Sequence, residues 1–246
     1  MESHLPALIV VVPLLAALLT PFVGRGKGPW LFATLTTWCV FAMTVALYFQ
    51  IDGLIQMLGS RGAVVSYAMG NWKLPWGIEY RVDLFNAFIL IIVAMISAVV
   101  TLYARLSVAQ EIPSDRSHFF YALWLLFITG LLGVTITGDV FNVYVLVEIS
   151  SLSSYALVAM GKYHNRKALS ASINYLVLGT IGASFFLVGI GYLYSVTGSL
   201  NMTDLTEKVR GLHDNRTVIT AVVFLLIGLG VKMALFPMHG WLPNAH

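Results

Sequence analysis

Seven stretches of the chain are apolar over a length that can cross a bilayer, and the polar residues collect between them. At about 20 apolar residues per crossing, the segments fall roughly at 4–23, 30–50, 84–104, 118–137, 140–160, 169–196 and 217–241. Only Thr137, Gly138 and Asp139 part the fourth from the fifth, which predicts a tight helical hairpin. The first run, Leu5 to Val23, lacks a basic leader and a small-residue cleavage site, and Pro6, Pro13 and Pro21 interrupt it. It reads as a retained transmembrane helix rather than a signal peptide.

Two connections are long. Residues 51–83 hold Gly53, Gly59, Gly62, Gly70, Pro75 and Gly77, and the alternation in AVVSYAM and WGIEYRV allows a short strand pair outside the membrane. Residues 197–216, TGSLNMTDLTEKVRGLHDNR, suit a short surface helix capped by Asn201 or Thr203 and ending at Gly211.

Composition agrees with this pattern. Of the 246 residues, 59% are hydrophobic and 10% charged, with a mean hydropathy of +0.85. Soluble domains carry about 25% charged residues, so the expected class is an all-α integral membrane protein. The net charge of +3 is scattered over loops, and nucleic acid is not an expected partner. Cys39 is the lone cysteine, so neither an intrachain disulfide nor a cysteine metal cluster is expected. Arg25, Lys27, Arg105, Arg116, Lys162, Arg166 and Lys167 fall in compact loops on one side. Arg61, Lys73, Arg81, Lys208, Arg210 and Arg216 spread over the two long loops on the other. That density predicts an outside amino terminus.

Two charged side chains sit well inside the apolar segments, Glu148 and Lys232. Glu148 lies about 12 Å in from Val140 at 1.5 Å rise per residue, where insertion scales put a charge at about 2.5 to 3.5 kcal/mol. Tyr144, Ser151 and Tyr155 share its helix face, so the carboxyl group points into a polar seam. Two readings stand: a hydrogen bond that holds helices together, or a group that handles protons or ions. Lys232 is followed by Pro237, whose missing N–H predicts a kink or break near Met233, and by Pro243. A broken helix in a membrane is tolerated in protein or beside a wet cavity. The alternative is a lysine that snorkels to an interface. Burial and pairing act in opposite directions on a lysine and a carboxylate, so alternating their pairing takes up or releases a proton.

His239 and His246 flank Trp241 and Pro243 and suit either a proton relay or plain packing. Asp139 suits a helix N-terminus. Small residues at Ser170, Ser172, Gly179, Gly182, Ala183 and Ser184 predict close helix packing in the sixth segment. No phosphate loop, serine triad or paired-cysteine motif appears, and neither a metal nor a cofactor is expected.

The segments TGDVFNVYVLVEISSLSSYALVA, ALSASINYLVLGTIGASFFLVGIGYLYSVTGSLNMTDL and GVKMALFPMHGWLPNAH resemble the antiporter-like subunits of respiratory complex I, membrane-bound hydrogenases and Mrp cation/proton antiporters. SLNMTDL and TGDVFN are similar in particular to the Mrp D subunit. The resemblance covers roughly residues 80–246; the first eighty match in hydropathy alone. It implies a proton-handling pair at Glu148 and Lys232; the residues themselves add Tyr144, Ser151, His239 and His246 as relay candidates and a helix break at Pro237. It also implies a core of two inverted five-helix repeats, of which residues 111–246 would be helices 4–7 of the first and residues 1–110 the three preceding helices.

On that reading the chain stops where an eighth helix begins, and the expected partners are lipid and other membrane subunits, one of them supplying helix 8 onward. A lysine common in relatives is replaced here by Asn174, which cannot carry a proton charge. The implied setting is a prokaryotic inner membrane, with no catalysis by this chain alone but membership of an ion-translocating NADH-quinone oxidoreductase-like complex as one context. The competing readings are a non-conducting structural subunit and, more remotely, a seven-helix retinal protein with Lys232 as the Schiff-base lysine. Pro237 and the lack of a mid-helix aspartate in the third segment speak against the last.

Overall fold

The computed structural model describes residues 4–24, 26–59, 63–161, 167–212 and 214–245. Arg25, Arg61, Lys162 and Arg166, four of the basic loop residues, and His246 lie outside the described residues. The elements run α1 (Leu5–Leu19), a 3₁₀ turn (Thr20–Phe22), α2 (Lys27–Leu58), β1 (Val65–Ala68), a second 3₁₀ turn (Met69–Asn71) and β2 (Glu79–Val82). There follow α3 (Leu84–Glu111), α4 (Ser117–Ile136), α5 (Val140–Met160), α6 (Lys167–Thr197), α7 (Met202–Val209), α8 (Arg216–Lys232) and α9 (Leu242–Ala245). Among the described residues, six helices, α1 to α6, are long and apolar enough to cross a membrane.

The helix starts follow from their caps. Asp83 Oδ1 accepts from the Asn86 N–H at 2.8 Å, Asp139 Oδ1 from Asn142 at 2.7 Å and Asn215 Oδ1 from Thr217 at 2.8 Å. Asn201 Oδ1 takes both Thr203 and Asp204, at 3.0 and 3.2 Å. Each such cap contributes about 1 kcal/mol by satisfying N–H groups that a helix start leaves open. The surface helix expected after the sixth segment is α7. The strand pair is β1 with β2.

Three helix ends depart from the expected boundaries. α3 runs to Glu111, seven residues past position 104, so Arg105, expected in a loop, sits inside it. α2 continues eight residues past position 50 and stops at Gly59, whose φ of 61° only glycine adopts at ease. Gly53 and Asp52, expected in a loop, sit inside it. Its 32 residues span about 48 Å, more than the roughly 30 Å of hydrocarbon. α8 ends at Lys232, five residues before Pro237, so the segment expected over 217–241 is helical for 17 residues, about 25 Å. The Leu235 N–H bonds to the Gly230 carbonyl at 2.9 Å and the Ala234 N–H to Val231 at 3.2 Å. With Ala234 at φ 52°, this is a Schellman motif. It closes the helix before the proline can act, and residues 233–241 form turns.

The chain forms two compact units. The first comprises residues 1–67 and 80–137, the second 68–79 and 138–246. By packing, α4 therefore groups with α1 to α3, whereas the resemblance groups it with the later helices. In the first unit small residues, Ala16, Ala17, Ala33 and Ala104, pack with Val108, Tyr121 and Leu125. Two indoles converge on Thr101 of α3: Trp30 Nε1 donates to its carbonyl at 3.0 Å and Trp124 Nε1 to its hydroxyl at 2.8 Å.

In the second unit α6 and α8 pack backbone to backbone. A Cβ on Gly182 would stand 2.8 Å from Val231 Cβ, and one on Gly228 would stand 2.7 Å from the Gly182 carbonyl oxygen. Glycine at both positions is what allows this approach, as is common between membrane helices.

Candidate functional site

Three residues on one face of α5 meet the end of α8. The Lys232 ammonium donates to Glu148 Oε1 at 3.1 Å, to the Ser151 hydroxyl at 2.7 Å and to the Tyr155 hydroxyl at 3.2 Å. Spacings of three and seven residues put the acceptors on one helical stripe, and three acceptors match the three protons of an ammonium. The Lys232 and Glu148 side chains are each 18% exposed, so the pair is largely but not wholly withdrawn from its surroundings.

Lys232 is also the last residue of α8. There the carbonyl ends of the helix favour a cation by about 0.3 to 1 kcal/mol. Because α8 stops at this residue, helix end and carboxylate act on the same charge.

A chain of aromatic rings backs the site. Tyr155 meets Tyr175 edge to face at 4.4 Å, and Tyr175 stacks on Trp241 at 4.3 Å with the planes 5° apart. Trp241, buried, donates its indole N–H to the Val231 carbonyl at 2.9 Å. Ser172 of α6 donates to the Tyr155 carbonyl at 2.7 Å, and the Ser154 hydroxyl lies 3.3 Å from that of Tyr175. The Tyr155 hydroxyl rests over Gly179 of α6, in the space a Cβ would take. Gly179 is thus a positioning residue, where the small-residue pattern suggests packing alone.

Other expected site residues stand apart from the pair. Tyr144 is half-buried, with its ring 6.0 Å from that of Phe141, and has no hydrogen bond to Glu148 or Lys232. His239 is exposed and its ring lies 5.6 Å from Phe236; Pro237 is exposed in the turn region after α8. Asn174 is exposed on α6, next to the site residue Tyr175. Among the described residues no group of three or more His, Cys, Asp or Glu side chains is placed to hold a metal ion.

A second polar cluster in the same unit has no counterpart among the sequence expectations. Glu79 is 3% exposed and accepts from Asn201 Nδ2 at 2.7 Å. Its carbonyl takes the Gly138 N–H at 2.8 Å, the Gly138 carbonyl takes Met202 N–H at 2.8 Å, and Leu200 takes Val140 N–H at 2.9 Å. The motifs TGDVFN and SLNMTDL therefore meet as an antiparallel bridge, Asp139 with Asn201. Burial raises the pKa of the Asp139 carboxyl, against the opposing pull of the Asn142 and Phe141 N–H groups. The signal for Glu79 is a lone acid in an alternating strand, which a solvated edge also produces.

Residues 137–246 match the family model described as NADH:quinone oxidoreductase/Mrp antiporter, transmembrane. The chain is 41% identical over 248 residues to NADH-quinone oxidoreductase subunit N of Desulforudis audaxviator (strain MP104C), covering all of this chain and 47% of that one. It is 32% identical over 239 residues to the D subunit of the Na(+)/H(+) antiporter of Bacillus subtilis (strain 168), covering 96% and 46%. Its fold superposes with a TM-score of 0.85 and 30% identity on a chain of the membrane-bound sulfane sulfur reductase, an archaeal respiratory membrane complex, covering 99% and 47%. The chain spans about half the length of the curated relatives it matches. The apolar helices and these relatives agree on an integral membrane protein.

Proposed function

Through residues 137–246 the chain belongs to the NADH:quinone oxidoreductase/Mrp antiporter transmembrane family, and from that we propose that it is a proton-translocating subunit of a multi-subunit membrane complex. The observation that carries the proposal is the Lys232–Glu148 contact at 3.1 Å, a lysine and a carboxylate joined across two helices inside apolar segments. While paired, the two charges cancel. Separated in low-dielectric surroundings, each would be uncompensated, at a cost of several kcal/mol per ion. Loss of a proton by Lys232 removes the cost of its own charge and gain of one by Glu148 the cost of the other, so both vanish together when a proton leaves the lysine and one reaches the carboxylate. Rotation of the lysine about its four-carbon stem is the motion we assign to making and breaking the pair, with the Ser151 and Tyr155 hydroxyls as the ammonium's other acceptors.

The narrower forms of this proposal follow the resemblance. α8 with residues 233–241 makes a seventh crossing, the turns near Pro237 give water access to Lys232, and α4 to α8 correspond to part of one inverted repeat. Exchange of Na+ for H+ is one mode of coupling. The amino terminus lies outside a prokaryotic inner membrane, and the partners are the other membrane subunits of the complex.

A second reading rests on the saturation of the ammonium by three acceptors, which would suit a purely structural tie between α5 and α8. Glu148→Gln and Lys232→Ala in the assembled complex separate the two. Ion transport driven across vesicles is expected to fall at least tenfold while the complex assembles normally. Unchanged transport with normal assembly sinks the proton-translocation proposal, and loss of assembly with loss of transport favours the tie.

A further inference from the structure

We infer that the first unit carries a binding site for the headgroup of an anionic phospholipid. A cavity of about 290 Å³ opens where α2 begins, α3 nears its end and α4 begins. Lys27 and Arg105 line it, and among the described residues no carboxylate does. Among the described residues neither cation has an ion-pair partner. The Arg105 guanidinium lies 4.7 Å from the Trp30 ring centre, a cation–π distance that fixes it over the cavity wall.

The rest of the lining suits a phosphate with acyl chains attached. Ser117, the first residue of α4, and Lys27, the first of α2, bring two helix N-termini to the cavity, whose dipoles favour an anion. Tyr121 and Trp30 supply the amphipathic rings that settle at the level of headgroups. Leu102 and Leu106 of α3, near Arg105 in sequence, are exposed apolar side chains. The volume lies at the lower limit for small-molecule pockets, which begin near 300 Å³, so it accepts a headgroup and leaves the chains outside. Basic pockets between membrane helices recognise lipid headgroups by this chemistry. The site shares no residue with the Glu148–Lys232 pair.

The test is native mass spectrometry of the full chain in detergent, titrated separately with phosphatidylglycerol, phosphatidylcholine and inorganic phosphate. Phosphatidylglycerol is expected to bind about tenfold or more tightly than phosphatidylcholine, and Lys27→Gln with Arg105→Gln to abolish the difference while far-ultraviolet dichroism stays unchanged. Lys73→Gln with Arg210→Gln, two exposed cations elsewhere, is expected to keep it. The inference is overturned by equal binding of the two lipids, by a preference that survives the first pair of substitutions, or by a loss that the second pair produces equally. Inorganic phosphate that displaces phosphatidylglycerol at equal concentration also overturns it, since the site would then take a free anion.

Discussion

Glu148 and Glu79 are both acids drawn away from water, and they are held in opposite ways. Glu148 meets a lysine at the end of a flexible stem, and the contact involves no backbone atom. Glu79 meets the amide of Asn201, while its own carbonyl and its neighbours are tied by the backbone bonds Gly138 to Glu79, Met202 to Gly138 and Val140 to Leu200. The first arrangement opens by a rotation. In the second the amide is pinned, because Asn201 also caps α7 through its Oδ1, so turning it away opens the start of that helix. A charge that shuttles needs the former; a junction that must not move needs the latter.

Substitutions can test this contrast directly, and the largest effect on stability is expected at the fixed acid. Glu79→Ala leaves a buried amide without its acceptor, a loss of about 1 to 3 kcal/mol, read as a lower melting temperature of the full chain with transport per assembled complex preserved. A large transport defect in a stably folded Glu79→Ala protein would erase the distinction. Next comes Gly179→Ala, whose methyl occupies the place of the Tyr155 hydroxyl. Overpacking of this kind costs about 1 to 3 kcal/mol, and here it also removes one of the three ammonium acceptors. Transport is expected to fall severalfold, and Tyr155→Phe in the same background to relieve the stability loss.

The smallest effect belongs to Asp139. Asp139→Ala should cost about 1 kcal/mol through the lost cap, and Asp139→Asn close to nothing, since asparagine caps as well as aspartate. The carboxyl is raised by burial, so its ionised form is the disfavoured one. Relative to Asp139→Asn, the wild type gains stability as pH falls through the raised value towards about 4, the unfolded one, and the difference is constant below that. Melting temperatures of the two proteins across the acid range, parallel throughout, would refute the assignment.

Much of the ion pair was legible in the sequence because an apolar run makes a lone charge conspicuous. Glu148 and Lys232 stood out on that ground, and the helical period added Ser151 and Tyr155. The end of α8 was not legible. GVKMALF carries no glycine or asparagine where the left-handed residue falls, and the structure uses Ala234 there. The proline drew attention to a break that the Schellman motif had already made five residues earlier. Nor was the Glu79–Asn201 bond legible, since 122 residues separate its partners and neither residue type is unusual in a loop. α2 overran its expected end because Asp52 and Gly53 resemble loop residues, yet a helix already 25 residues long tolerates them. Tyr144 shows the limit of the period argument: a residue one turn from Glu148 can share its face and still turn towards Phe141.

Trp241 closes a circuit. From Val231 one route to Lys232 is a single peptide bond; the other passes through the Trp241 indole, Tyr175 and Tyr155 to the same ammonium. In the language of linkages, a closed loop of stiff members has fewer free motions than an open arm of equal length. The Tyr155 hydroxyl that the ammonium meets is therefore referenced to the same frame as the root of the lysine, so the stem turns against a fixed acceptor, and residues 233–241 form a member of that frame rather than a tail trailing from it.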